Sequence, residues 1–296
     1  MQKQHYVLTA VLALCMAAGA SQAEEVRSPY QIVADAPADD WRPLDAANTI
    51  YMDLPTGRVV IELMPEFAPH NVANIKALVR EGFYEGLSIY RVVDGFVAQG
   101  GDESGEKPIK TAKRAVNDEF TRQGLGTLSF IPLMGPDGYA DETGFVKSHP
   151  VGRDKISGEA WLVHCPGAVT ISRGEQPDSS GPDFAISLGH APRYLDRNIT
   201  MIGHVMYGME HLQKLERGSE AMGIVPDAQV KNGIIGAHVA ADLAPEKQVQ
   251  VEVMRSDSPS FKELIQSRSN RPEAWFVKRH NYMDVCGIPV PVRKAN

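Results

Sequence analysis

Cysteine is scarce in this chain, with three in 296 residues, and neither Cys165 nor Cys286 belongs to a Cys-x-x-Cys pair. That argues against a thioredoxin-like redox motif and a paired-cysteine zinc site. The nine histidines form no His-Glu-x-x-His pattern, so they read as satisfied or surface histidines rather than metal ligands. A Gly-x-Ser-x-Gly elbow and a Gly-x-x-x-x-Gly-Lys phosphate loop are both missing, and Gly124-Leu125-Gly126 lacks the strand–helix setting of a dinucleotide site. Covalent, metal and cofactor chemistry are therefore unsupported, and no cofactor is expected. There is no basic cluster either: 30 Lys and Arg against 37 Asp and Glu give a net charge of −7. Nucleic acid is not expected as a partner, because phosphate binding relies on clustered cations.

Only the N-terminus carries a long apolar run. Lys3 precedes an apolar stretch from Tyr6 to Ala20, and Ser21-Gln22-Ala23 supplies the small residues a signal peptidase requires. The stretch is short for a membrane span, and no later segment reaches the roughly 18 apolar residues of one. The reading is a signal peptide over 1–23, with export to a periplasm as the first expectation and secretion as the second. Bulky Leu14 before Cys15 speaks against a lipoprotein cysteine. Loss of Lys3 with the leader would take the charge from −7 to −8. In an oxidising compartment Cys165 and Cys286 could pair, although two isolated cysteines more often remain separate thiols.

Residues 24–47, rich in Asp, Ala and Pro with Trp41 as the one large anchor, read as an arm. From Thr49 the pattern sharpens. Ile50, Met52 and Leu54 alternate with other residues, Pro55-Thr56-Gly57 marks a turn, and Val59–Met64 returns as a second strand. Pro69–Arg80 reads as a helix: proline suits its first turn, Val72, Ile75, Leu78 and Val79 form its apolar stripe, and Gly82 ends it. Further strand-like runs are Leu87–Val93, Phe96–Gln99, Ala168–Ser172, Phe184–Leu188, Met201–Met206 and Lys247–Met254, with a second helix over Gly208–Arg217. Many short strands with two helices argue for a β-barrel or sandwich capped at its ends. Residues 121–163, broken by Gly, Pro and Asp, read as a long inserted loop. Residues 256–296 form a C-terminal extension with a short helix near Phe261–Ser267, and Trp275 and Phe276 are expected to pack back on the barrel.

The stretch Tyr90-Arg-Val-Val-Asp-Gly-Phe-Val-Ala-Gln-Gly-Gly-Asp102 places Arg91 in an apolar run with no acidic residue within two positions. A guanidinium brought near apolar surroundings costs free energy unless something uses it. A polar strand face accounts for Arg91 and Gln99 equally well on these residues alone. One reaction needs neither nucleophile nor metal. Rotation about a peptide bond is resisted by about 18–20 kcal/mol, and before proline the uncatalysed exchange takes roughly tens to hundreds of seconds. An apolar pocket for the pyrrolidine ring and a strong donor to the prolyl nitrogen would stabilise the twisted state. Arginine, always charged and forked, suits that task.

With these residues the chain resembles the cyclophilins, peptidyl-prolyl cis–trans isomerases. Arg91-Val-Val-Asp-Gly-Phe96-Val-Ala-Gln99-Gly-Gly-Asp102 stands where the family usually reads Arg-x-x-x-Gly-Phe-Met-x-Gln-Gly-Gly-Asp. Asn117–Phe120, Gly167–Ser172, Ser180–Ile186 and Tyr194-Leu195-Asp196 leading into Gly203 also match. The resemblance implies a mainly β fold: a closed eight-stranded antiparallel barrel capped by two helices over residues 48–255, with the 121–163 insert and the 256–296 extension outside it.

By the same resemblance Arg91 is the catalytic donor and Gln99 positions the substrate backbone. Phe96, Val97, Phe184 and Leu195 would line the proline pocket, and Ser172 and Asp183 would meet the substrate. Asp183 stands for the usual glutamine, Ala185 for a second pocket phenylalanine, and Ile199 for a frequent histidine. Losing a Phe removes part of a burial term worth about 1.5–3 kcal/mol. The expected partners are proline-containing segments of unfolded or flexible polypeptides, met by a monomer with no membrane span. Two alternatives stay open: a proline-peptide-binding module or chaperone with little turnover, and a small-ligand barrel unrelated to isomerisation. A two-residue turn at Asp94-Gly95 would pair Arg91 with Ala98 and send Gln99 to the opposite face. Both reach one site only if the hairpin has a bulge or a longer turn.

Overall fold

The computed structural model describes residues 26–190 and 192–295; the expected signal peptide lies outside them. In chain order the elements begin with α1 (Pro29–Asp35), β1 (Trp41–Pro43), β2 (Thr49–Leu54), β3 (Gly57–Leu63), α2 (Pro69–Arg80), β4 (Ser88–Val93) and β5 (Val97–Gly101). The insert supplies β6 (Arg122–Gln123), β7 (Ile131–Pro132), β8 (Glu142–Val146), β9 (His149–Arg153) and β10 (Glu159–Leu162). The rest comprises β11 (Ala168–Arg173), β12 (Ser180–Ser187), β13 (Met201–Tyr207), α3 (Met209–Leu212), α4 (Ala228–Lys231), β14 (Gly236–Val239), β15 (Val251–Met254), α5 (Pro259–Ser269) and β16 (Val292–Lys294).

Eight strands form one curled antiparallel sheet in the order β14-β2-β3-β13-β11-β12-β5-β4. Its concave side buries Ile61, Leu63, Ile89, Val169, Phe184 and Ile186, and α2 covers them with Val72, Ile75, Leu78 and Val79. The α2 stripe and the β2–β3 hairpin are those the sequence predicts, with Leu54 opposite Gly57. The sheet is a curled half-barrel, however, not a closed barrel. Its edge strands β4 and β14 do not pair in a ladder. The irregular segment ahead of β14 covers the β4 edge instead, through Gly218 N–H to Val92 O, Val225 N–H to Tyr90 O and Ile234 N–H to Leu87 O. Left-handed Met222 and Asp227 break this segment's extended run, so it bonds at points rather than along a ladder.

The second helix is also shorter than expected. After the single turn of α3, Lys214 and Leu215 donate to carbonyls three residues back, a tightening common at helix ends. Leu212 and Leu215 are buried in the main core all the same.

Residues 121–163 are not a loop. They form a five-stranded antiparallel sheet, β6-β10-β9-β8-β7. Two of its glycines, read from sequence as loop punctuation, are packing positions: a Cβ on Gly152 would lie 2.7 Å from the Trp161 ring, and one on Gly144 2.3 Å from Ile131 O. The arm and the extension are likewise structured. β1 and β16 flank β15 in a third sheet, and a second core joins Ile32, Trp41, Phe145, Trp161, Phe261 and Leu264 from arm, insert and extension. The extension's helix lies where the sequence predicts. Trp275 does not pack back: it is 82% exposed, with its ring centroid 4.9 Å from that of Phe276.

Cys165 and Cys286 form a disulfide across a sequence separation of 121 residues, rather than remaining separate thiols. The folding of the extension onto the second core brings two positions together that sequence spacing leaves unrelated.

Candidate functional site

The β4–β5 hairpin settles how Arg91 and Gln99 reach one site. Val93 pairs with Val97, Val92 with Ala98 and Arg91 with Gln99, so the turn holds three residues, Asp94, Gly95 and Phe96. Gly95 takes φ +66°, a conformation glycine adopts without steric cost. The extra residue shifts the register by one and puts both polar side chains on the convex face. Across the sheet the row continues from Gln99 to Ala185 and Thr170.

Arg91 is held at two points. Its Nε donates to Met222 O at 2.7 Å and its Nη1 to Gln99 Oε1 at 3.2 Å. Phe96, at the end of the turn, lies with its ring centroid 6.0 Å from the guanidinium carbon. Gln99 Nε2 donates to the Tyr90 hydroxyl at 2.8 Å, and Tyr90 donates to Asp183 Oδ2 at 2.7 Å. The other carboxylate oxygen, Asp183 Oδ1, accepts the Asp102 N–H at 2.9 Å. Burial raises the Asp183 carboxyl above its ordinary value, with the Tyr90 and Asp102 hydrogen bonds opposing it. Burial and the neighbouring Asp183 charge push the Tyr90 phenol up. Asp102 falls below its usual range, since the Ser104 hydroxyl and Lys107 N–H outweigh its burial.

The structure brings Arg91, Phe96, Val97 and Gln99 together on this hairpin. Val97, two residues from Gln99, shares its face and is paired with Ser187 on β12. Phe184 belongs elsewhere. It is 3% exposed in the concave core, with its ring 5.6 Å from that of Tyr84. Strand alternation then turns Asp183 and Ala185 toward the convex face, so Ala185, not Phe184, shares the face of Arg91 and Gln99. Ser172 sits half-buried at a bulge in the β11–β12 ladder. Leu195 is half-buried at the end of the turn Arg193–Leu195.

That turn is fastened by a buried ion cluster. Arg193 donates to both oxygens of Asp137 in the insert, at 2.9 and 3.0 Å, and to Asp196 at 2.6 Å. His164 meets the other Asp196 oxygen at 2.9 Å. Neither this cluster nor Tyr90 and Met222 stood out in the sequence. Tyr90 adjoins Arg91, but only the fold shows that it faces Asp183, and the Met222 contact is made by a backbone carbonyl.

The chain is similar to known proteins over most of its length. The family model for cyclophilin type peptidyl-prolyl cis-trans isomerase/CLD matches residues 49–236. A probable peptidyl-prolyl cis-trans isomerase from Brucella suis biovar 1 is 33% identical over 200 residues, 67% of this chain and 85% of that protein. Its Brucella abortus counterpart is 32% identical over the same length. The crystal structure of cyclophilin AquaCyp293 from Hirschia baltica superposes with a TM-score of 0.71 at 27% identity, over 91% of this chain and 99% of that one. This likeness extends well beyond the residues that the family model matches.

Proposed function

The chain belongs to the cyclophilin-type peptidyl-prolyl cis–trans isomerase family, and from that premise we propose that Arg91 is the donor to the prolyl amide in a non-covalent isomerisation. The carrying observation is the Arg91–Gln99 pair, with the guanidinium anchored through Nε and Nη1 beside Phe96. The Nη2 group, without a partner among the described residues, is free to approach the prolyl nitrogen. Drawing its lone pair out of conjugation lowers the barrier to rotation, and no proton or covalent bond need be exchanged. Gln99, Val97 and Phe96 would orient the substrate around that donor.

The substrates we propose are proline-containing segments of unfolded or flexible exported proteins, in a periplasm. The Cys165–Cys286 disulfide supports an oxidising compartment. Ala185, opposite Gln99, favours a second reading, a proline-peptide binder with little turnover, because it leaves the proline ring a small wall. Isomerisation of a proline-containing peptide by the full chain decides between them. A rate enhancement lost in Arg91→Ala supports the enzyme. Peptide binding without enhancement supports the binder.

A further inference from the structure

The hydrogen bonds behind Arg91 run in one direction. Tyr90 has one hydroxyl proton, and Asp183 Oδ2 takes it. The phenolic oxygen is then left as an acceptor, and Gln99 can offer it only its NH2 group. That fixes the Gln99 amide with Oε1 toward Arg91. The opposite amide orientation would aim an N–H donor at a guanidinium, which has no acceptor. Asp183 is itself fixed, because the Asp102 N–H occupies its second oxygen. Gly101 makes the room: a Cβ there would lie 2.1 Å from Asp183 Oδ1.

We propose that Tyr90 and Asp183 are positioning residues of the isomerase site, acting through the Gln99 amide to hold Arg91 in its productive orientation. This rests on the reading of Arg91 as the donor. It also changes the part expected for Asp183. With both oxygens engaged inside the protein, its carboxylate steers Tyr90 rather than meeting the substrate backbone.

Asparagine is the informative replacement. If its oxygen accepts the Asp102 N–H, its NH2 group must donate to Tyr90, and Tyr90 must then donate to Gln99. Such a reversal turns the Gln99 NH2 group onto Arg91. Protonation of Asp183 has the same result. The titratable and charged groups facing this carboxyl are Tyr90 on β4, Tyr84 after α2, Asp102 following β5, and Arg114; Glu103 acts on Tyr90. Burial keeps the Asp183 carboxyl above its usual range, so activity should fall on the acid side at a higher pH than an ordinary aspartate would give.

The test uses the full chain and its Tyr90→Phe, Asp183→Asn and doubly substituted forms. NMR exchange spectroscopy on a proline-containing peptide, from about pH 4 to about pH 8, gives turnover across the range where a raised carboxyl titrates. The Gln99 side-chain amide signals report the orientation independently of turnover. Each single variant is expected to remain folded and to lose roughly tenfold in kcat/KM, carried by kcat, and the double variant no more than either one. Asp183→Asn should lose the acid limb, and its Gln99 signals should stop shifting with pH. Additive losses, an acid limb that persists in Asp183→Asn, or Gln99 signals indifferent to Tyr90→Phe would each overturn the inference. Absence of turnover in the unmodified chain would count against the catalytic reading alone, since the Gln99 signals still decide whether the relay exists.

Discussion

Arg91 faces Gln99 directly across the β4–β5 ladder, and the one extra residue in the intervening turn is what makes them neighbours. With a two-residue turn the same sequence would put Gln99 against the hydrophobic core and leave Arg91 unsupported. The proposed constellation thus depends on a backbone choice at Asp94, Gly95 and Phe96 as much as on the side chains. Gly95, at φ +66°, permits that choice.

On the proposed reading, Ala185 limits how tightly the site can hold proline. It lies opposite Gln99 on one side and Thr170 on the other, so a larger apolar side chain there projects from the convex face beside Gln99. Full burial of a Phe is worth about 1.5–3 kcal/mol, and a side chain covered on one side only recovers about half of that. Ala185→Phe is therefore expected to lower KM for a proline peptide roughly fivefold while kcat changes little. Peptide titration with the Arg91→Ala background separates binding from turnover. An unchanged dissociation constant there would show that this position does not contact the ring.

Much of this molecule is legible in the sequence, and the gaps have physical causes. The α2 stripe and the β2–β3 hairpin announce themselves because burial on one face imposes a period. Arg91 and Gln99 are legible as chemistry, while their register depends on a turn that two geometries could satisfy. Phe184 was misplaced because a pocket wall and a core wall demand the same residue type; only its position relative to Ala185 on β12 tells them apart. The five-stranded insert was missed because Gly144 and Gly152 look like loop residues. In the fold they admit Phe130 and Trp161 to close packing. The disulfide joins residues 121 positions apart, and no local pattern encodes such a contact.

Arg193 ties the insert to the turn that carries Leu195. Its side chain is 7% exposed, and those of Asp137 and Asp196 are 5% and 2% exposed. Removing one partner of a buried pair leaves a charge without compensation and costs about 3–5 kcal/mol. Asp196 remains in Asp137→Asn, so a loss nearer about 2 kcal/mol is expected. The turn that carries Leu195 would loosen with it, and KM for a proline peptide should rise while kcat holds. Chemical denaturation and steady-state kinetics on the same preparation check both parts. A stability loss with unchanged KM would confine the cluster to a structural role.

Acid should destabilise the protein well before its carboxylates are protonated. His204, opposite Glu62 in the β13–β3 ladder, is lowered to about 3 by burial first and by its neighbour His149 second. Burial likewise lowers His149, despite the nearby Glu62. The two rings lie 6.5 Å apart. A histidine depressed in the folded state stays neutral there while the unfolded chain takes up a proton near its ordinary value, about 6.5. The unfolded state then binds more protons, so this stability is fully present above about pH 6.5 and is lost progressively as pH falls toward about 3. While only the unfolded state titrates, each such group contributes a slope of up to about 1.4 kcal/mol per pH unit. Asp183 works in the opposite sense, because its raised carboxyl is protonated in the folded state first. The histidine effect is isolated by comparing the unmodified chain with His204→Phe, which retains a flat ring and removes the titration. Urea unfolding at several pH values between about 7 and about 4.5 should give a shallower loss of stability in the variant. Parallel curves would mean that His204 takes up its proton in the folded state as well, and the enclosure of that ring would then be looser than its buried Nδ1, unpartnered among the described residues, indicates.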